Sequence, residues 1–377
     1  MTGLYLHIPF CLRKCPYCDF FSLAGHSDRI SEYVKCLVAH MELFRSSQQD
    51  PEPFATVFFG GGTPSLLEPA EVEEILRCAD HLWGLTEGVE ISLEANPGTL
   101  NLAKLEGYWA AGVNRLSLGV QSFHPHFIET LGRLHTLADV ENSLSWARQA
   151  GYRNIGIDLI FGLPGQTRED WRRDLERALA FGPEHLSLYG LTVEEGTDFA
   201  CLQSQGKLIL PGEEACADMY QDAHVFLRAH GYCHYEISNY ARPGFQCRHN
   251  LIYWRRQPCL GFGAGAHSFL ARSWGERWAS PPDLGQYVHS LEQGVDPASQ
   301  LEIFSRQKAM AETFYLGLRT SVGVCEADFV RLYGAKVREV FPGALERLAD
   351  NLVFEEGCWR MTYESWLLYD FLIREFL

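Results

Sequence analysis

Residues 4–22 read LYLHIPFCLRKCPYCDFFS, and the three cysteines in this stretch govern how the rest of the chain is read. Cys11, Cys15 and Cys18 are spaced C-x3-C-x2-C, directly after a short apolar run at 4–8. Three thiolates on one short loop hold three irons of a cubane 4Fe–4S cluster. Four thiolates is the usual set, so one iron is left open for a further ligand. A zinc knuckle and a disulfide loop are the competing readings. Zinc asks for a fourth Cys or His at matching spacing, and none follows closely.

Outward from this loop, apolar runs alternate with stretches of helical spacing. Strands are expected at 4–8, 55–59, 89–93, 113–118, 154–161 and 185–190, and helices at 28–45, 69–82, 100–111, 138–149 and 167–180. Repeated strand–helix alternation implies an α/β fold with a parallel sheet and crossover helices, here an open or partial barrel. In such a sheet the active site lies past the carboxyl ends of the strands. The cysteine loop, the Gly60-Gly61-Gly62-Thr63 turn, Glu94, Gln121 and Asp158 all fall at or near such ends. A glycine-rich turn alone is equally a plain strand-to-helix turn; the coincidence of five features on one face carries the inference.

Composition narrows the class. The chain has 377 residues, 46% of them hydrophobic, which is enough for a sizeable core and about two domains. Nine of the twelve cysteines lie outside the loop without framework spacing. With no apolar targeting core and no membrane-length apolar stretch, the thiols are expected to be reduced in the cytoplasm. A net charge of −16 argues against non-specific binding to nucleic acid or anionic membrane.

Several motifs together resemble one family. They are LYLHIPFCLRKCPYC (4–18), VFFGGGTPSLL (57–67), LEANPGTL (93–100), RLSLGVQSF (115–123), IDLIFGLPGQT (157–167) and LSLYGLTVEEGT (186–197). They are similar to the oxygen-independent coproporphyrinogen-III-oxidase-like group of radical S-adenosylmethionine (SAM) proteins. YEISNYARPGFQCRHNLIYW (235–254) and GFGAGAHSF (261–269) resemble the group's heme-chaperone branch. The resemblance implies a partial (β/α)6 TIM-like barrel followed by a small winged-helix-like domain, with 1–296 as core and extension and 297–377 as the second unit.

It also implies roles residue by residue. Cys11, Cys15 and Cys18 match the cluster ligands, and Tyr5 matches a tyrosine near SAM. Gly61, Gly62 and Thr63 match the turn that meets the amino end of the methionine; glycine suits it because no Cβ blocks the backbone. Glu94 matches the carboxylate that accepts from the ribose hydroxyls. Tyr17, Gln121, Arg133 and Asp158 match further SAM contacts, which in the oxidase form a second SAM site; the alternative for Gln121, Arg133 and Asp158 is a buried polar network closing the sheet. His249, Asn250, Tyr253 and Trp254 match the H-N-x-x-Y-W pattern associated with heme. An imidazole is a good axial ligand and the two rings offer flat apolar faces, although a packed domain corner has the same composition. Cys247 is a candidate thiolate partner, and His267 falls near a SAM-contacting position.

Two departures separate the chain from the oxidase. Phe20 stands where the oxidase has a fourth cysteine, and the loop begins at Cys11 with no room for the oxidase's substrate-covering N-terminal arm. The expectation is therefore a heme carrier holding a 4Fe–4S cluster, SAM and heme. It would pass heme to apo-hemoproteins such as respiratory enzymes, with homodimerisation favoured by the cluster and no residue assigned a catalytic role. The alternative is a radical SAM enzyme acting on a tetrapyrrole, as an oxidase or a heme-modifying methylase.

The C-terminal stretch is expected to hold helices at 300–318, 325–332, 343–349 and 363–376, with a two-stranded wing at 351–355 and 359–362. A winged helix suggests DNA, but 297–377 carries nine Lys/Arg against twelve Asp/Glu, net −3. That is the wrong sign for tracking phosphates, so a DNA-binding regulator is disfavoured.

Overall fold

The structure is a computed structural model that describes residues 1–46 and 52–377. Six parallel strands lie side by side: β1 (Thr2–Ile8), β2 (Phe54–Gly61), β3 (Leu85–Ala95), β4 (Arg115–Gln121), β5 (Ile155–Phe161) and β6 (His185–Gly190). Each leads into a covering helix: α1 (Ile30–Ser46), α2 (Pro69–Trp83), α3 (Leu102–Ala111), α4 (Leu137–Gln149), α5 (Arg168–Ala180) and α6 (Glu213–Ala229). Local chemistry fixes the helix starts. Thr136 and Asp139 form a reciprocal cap on α4, Thr167 and Asp170 do so on α5, and Asn101 accepts from the Lys104 N–H on α3.

Further strands extend the sheet at both edges. β7 (Cys233–Glu236) and β8 (Asn239–Ala241) add antiparallel beyond β6. β9 (Cys259–Phe262) pairs parallel with β1, and β10 (His267–Leu270), β11 (Glu276–Ala279) and β12 (Ser299–Ile303) continue antiparallel from it. The twelve strands run in the order β12-β11-β10-β9-β1-β2-β3-β4-β5-β6-β8-β7, so the sheet is open. Period-two alternation sorts the side chains. Ile91, Leu93, Leu116, Leu118, Ile157, Leu159, Leu186 and Leu188 belong to the hydrophobic core. The alternate positions of the same strands are polar: Glu90, Ser92, Glu94, Arg115, Ser117, Asp158, His185 and Ser187.

A second apolar core runs from Phe304 to Phe376. It packs around α8 (Arg306–Leu318) and a three-stranded sheet with β15 (Cys358–Met361) between β13 (Val324–Cys325) and β14 (Leu352–Glu355). Glu312, 3% exposed, ties it to the larger unit through Arg277 of β11 at 2.8 Å and through Arg256, in the turn before β9, at 2.5 Å.

Four expectations change here. Residues 299–303 form β12 rather than the start of a helix: Ser305 caps α8 by accepting from the Lys308 N–H, and the preceding residues pair with β11. The wing has a third strand, β13. Residues 363–376 form two 3-10 turns flanking a four-residue α-helix instead of one helix. Finally, Cys325 and Cys358, 33 residues apart, are joined as a disulfide across β13 and β15, so the thiols are not all free. Among the described residues no helix is long and apolar enough to cross a membrane.

Candidate cofactor site

The cysteine loop is closed at its base. Phe10–Cys11 pairs parallel with Leu23–Ala24, and the Leu23 N–H donates to Pro9 O at 2.6 Å. His7 adds a clasp through Nε2 to Phe21 O at 3.0 Å. A carbonyl only accepts, so Nε2 carries the proton and Nδ1 accepts from the Tyr5 hydroxyl at 3.1 Å. Burial lowers the His7 pKa and keeps the ring neutral.

Beside the loop, the turn after β2 has no room for side chains. A Cβ on Gly62 would lie 2.7 Å from Phe10 O, and one on Gly61 (φ +108°) would meet the His7 ring at 2.6 Å. The Gly61 N–H donates to Glu94 Oε2 at 3.2 Å, and Thr63 Oγ1 donates to Cys11 Sγ at 3.4 Å. Asn96 holds Thr63 by donating to its Oγ1 at 2.9 Å and accepts from Arg133. Arg133 also donates to Gly119 O at 2.8 Å and stands 4.0 Å from Cys15 Sγ. Gln121, with φ +69°, ends β4 at an irregularity in its pairing with β5. Strain of this kind on a non-glycine residue is concentrated at functional sites.

These groups surround one cavity of about 470 Å³ at the carboxyl ends of the strands. Cys11, Cys15, Tyr17, Cys18, Gly61, Gly62, Thr63, Glu94, Gln121, Arg133 and Asp158 all line it. Burial, with the Asp158 charge second, pushes the Glu94 carboxyl up to about 8. Asp158 is raised by burial and held back mainly by Ser187 and Arg115. The three cysteines are free and partly exposed. Among the described residues no three ligand-type side chains converge as a single-ion site requires, so the donor set does not match a mononuclear zinc centre. Three free, soft thiols on one cavity wall fit the ligand set of a 4Fe–4S cluster, which Cys11, Cys15 and Cys18 would hold.

The remaining sequence-selected residues lie elsewhere. Tyr5 is outside the cavity lining, with its hydroxyl turned to His7. His267 is exposed on β10 and also outside it. His249 belongs to α7 (Arg248–Trp254), packed against the amino-terminal parts of β1 and β2. It is 1% exposed; its Nδ1 is 2.8 Å from Thr56 Oγ1 and its Nε2 is 2.9 Å from the Tyr253 hydroxyl. Burial, helped by Arg115, lowers its pKa to about 3. Glu90 receives the N–H groups of Arg248 and His249 at 3.1 and 3.0 Å. Tyr253 is 37% exposed, and Trp254 lies beneath the Arg319 guanidinium at 4.3 Å. Asn250, the fourth position of the pattern, is half-buried in the same helix.

The radical SAM superfamily profile matches residues 5–178, and the HemN C-terminal domain profile matches 304–368. A "Heme chaperone HemW" from Synechocystis sp. is 40% identical over 335 residues, covering 87% of this chain and 80% of that protein. The "Heme chaperone HemW" of Bacillus subtilis is 35% identical over 373 residues, covering 98% and 97%. The chain belongs to the heme chaperone HemW family. Its fold also matches the structure of coproporphyrinogen III oxidase (HemN) from Escherichia coli, with TM-score 0.85 and 23% identity over 100% of this chain and 89% of that one.

In this HemW-family chain the cavity also uses residues that the motifs did not single out. Asn96, Ser117 and Tyr189 line it, and Ser117 Oγ donates to Asp158 Oδ1 at 3.1 Å. Strand parity carried the signal: Asn96 is two residues after Glu94, and Tyr189 sits at the end of β6 beside Ile160. Arg13 and Lys14, inside the cysteine loop, add two cations to the wall.

Proposed function

We propose that this chain is a heme carrier that holds a 4Fe–4S cluster on Cys11, Cys15 and Cys18 and SAM in the adjoining cavity, and that it delivers heme to apo-hemoproteins in the cytoplasm. The observation that supports the cofactor assignment is that eleven residues the resemblance matched to cluster and SAM contacts line one cavity. When bound, a cluster with one open iron supplies a chelation site for SAM and an electron for its sulfonium. The protein's own residues do the positioning. The Gly61–Gly62 backbone lets the amino-acid end approach, Glu94 accepts from hydroxyls, and Asn96 and Arg133 brace the wall behind the thiols.

For heme, the reading rests on family membership and on the H-N-x-x-Y-W residues. In α7 both ring nitrogens of His249 are engaged, so ligation of iron by His249 requires release of Thr56 or Tyr253. Tyr253 is the accessible half of the pair and the element through which the ring would be freed. Phe20, at the position of the oxidase's fourth cysteine, supports carriage over porphyrinogen oxidation.

The intact cavity favours a second reading, a radical SAM enzyme acting on a tetrapyrrole. One experiment separates them. Heme is titrated into anaerobically reconstituted wild type and His249→Ala, and coproporphyrinogen III with SAM is assayed in parallel. Stoichiometric heme binding weakened by the substitution, with no protoporphyrinogen and no substrate-dependent 5′-deoxyadenosine, supports the carrier. Turnover, or heme binding indifferent to His249, supports the enzyme.

A further inference from the structure

The helix that carries the H-N-x-x-Y-W residues is held at its two ends by different parts of the molecule. At its start, Glu90 of β3 accepts the Arg248 and His249 N–H groups, and the buried Ile252 packs toward Gly3 of β1. At its end the partners come from the C-terminal unit, whose α8 packs against α7. The Arg319 guanidinium, just past α8, lies 4.3 Å from the centre of the Trp254 ring and 5.1 Å from that of Tyr369. Its Nη2 is 3.8 Å from Oε2 of the buried Glu236. Two residues beyond Trp254, Arg256 has φ +51° and donates from Nε to Glu312 of α8 at 2.5 Å and from Nη2 to Trp274 O at 2.8 Å.

These two grips differ from exposed ion pairs. Both partners of the Glu312–Arg256 pair are buried, so separating them strands a charge away from water. A guanidinium over an indole face is attractive as well. The seated turn nevertheless carries a cost: Trp254 Nε1 and Arg319 Nε are buried with no hydrogen-bond partner. Lifting the turn would return the Trp254 N–H to water. The backbone behind Arg319 is fixed independently of α7, since the Ile237 N–H donates to Arg319 O at 3.2 Å and the Ser321 N–H to Tyr235 O at 3.0 Å. Ile252 and Glu90 hold the rest of the helix, so the C-terminal unit governs its last turn, where the Tyr253 hydroxyl stands 2.9 Å from His249 Nε2.

We propose that Arg319 and Glu312 are positioning residues for heme acceptance: they hold the last turn of α7 down and keep Tyr253 on His249 Nε2, so iron reaches the imidazole only when that turn lifts. This rests on the reading that His249 ligates heme. A site that is open only part of the time binds with an affinity reduced by the open fraction, so loosening the grip strengthens heme binding, whereas loss of a purely structural contact would weaken it.

The test is heme association by stopped-flow absorbance on the reconstituted full chain, with amide exchange at 251–254 measured in parallel. The proteins are wild type, Arg319→Gln, Arg319→Lys and the double variant Arg319→Gln/His249→Ala. Arg319→Gln should speed exchange at 251–254 and heme association by about tenfold, with an equal gain in affinity. Arg319→Lys, which keeps a cation over Trp254, should stay within about threefold of wild type. The double variant should keep the fast exchange and lose the gain in heme binding. Wild-type exchange in Arg319→Gln overturns the proposal, as does faster exchange with unchanged or slower heme association. If Arg319→Gln does not fold, Glu312→Gln takes its place, with the same expected direction and the same overturning results. Heme binding by wild type that is indifferent to His249→Ala defeats the ligand reading instead, and the exchange rates at 251–254 still report separately on the grip.

Discussion

The same strands build two polar regions that end up in opposite conditions. β2 gives Thr56 to the lower region and Gly61 to the cavity; β3 gives Glu90 below and Glu94 above. Below, Thr56, Glu90 and His249 are buried and bonded to one another, with α7 covering them. Above, three free thiols and two raised carboxyls border about 470 Å³ of open space. Residue type alone does not separate the two regions, since each holds carboxylates, hydroxyls and thiols. Access and partners do: a satisfied polar group specifies structure, whereas one that faces a cavity is available for a ligand.

This contrast yields substitutions with opposite signatures. The largest effect is expected from Cys15→Ala, which should abolish 4Fe–4S incorporation while Cys247→Ala leaves iron content at the wild-type level, as read by iron and sulfide analysis. Cys247 is fully buried and its thiol is pushed up to about 12 by burial, the behaviour of a packing residue.

Glu90→Ala should be next and purely structural. It strands the buried N–H groups of Arg248 and His249, costing on the order of 2–4 kcal/mol in urea unfolding. Cluster content should be unchanged. If iron is lost instead, the two ends are not separable.

Gly62→Ala should cost about 1–3 kcal/mol, because its Cβ would press on Phe10 O at 2.7 Å and Ile8 O at 2.9 Å. It should also loosen the cysteine loop, seen as faster amide exchange at Phe10 and Cys11.

The smallest expected effect is a pH slope. Glu94 titrates near 8 in the folded chain against 4.5 for an ordinary glutamate. Between these values the folded state binds more protons than the unfolded, so this group lowers stability as pH rises through that window. Glu94→Gln should remove the slope and leave the cofactor-free protein more stable than wild type by about 1–3 kcal/mol at pH 8, measured as the urea midpoint.

Much of this arrangement was legible in the sequence because it follows local rules. Strand–helix alternation and the glycine turn placed six parallel strands, and residues chosen at their ends met at one cavity. Strand ends were read short where glycines continue the pairing, as at Gly60 and Gly61 of β2. The H-N-x-x-Y-W stretch showed composition but not burial, since the partners of His249 lie far off at Thr56 and Glu90. Residues 300–303 read as the first turn of a long amphipathic helix, although Leu301 and Ile303 stand at the strand period of two; the decisive pairing with β11 is long-range. The Cys325–Cys358 pairing likewise depends on two strands meeting across 33 residues.

The most direct test of the two-ended account is competition on one sample. Reconstituted protein is saturated with labelled SAM, heme is added to stoichiometry, and retained SAM is counted. Sites at opposite ends predict that SAM stays bound while one heme per chain is taken up. Displacement of SAM by heme would put heme in the cavity and contradict the account.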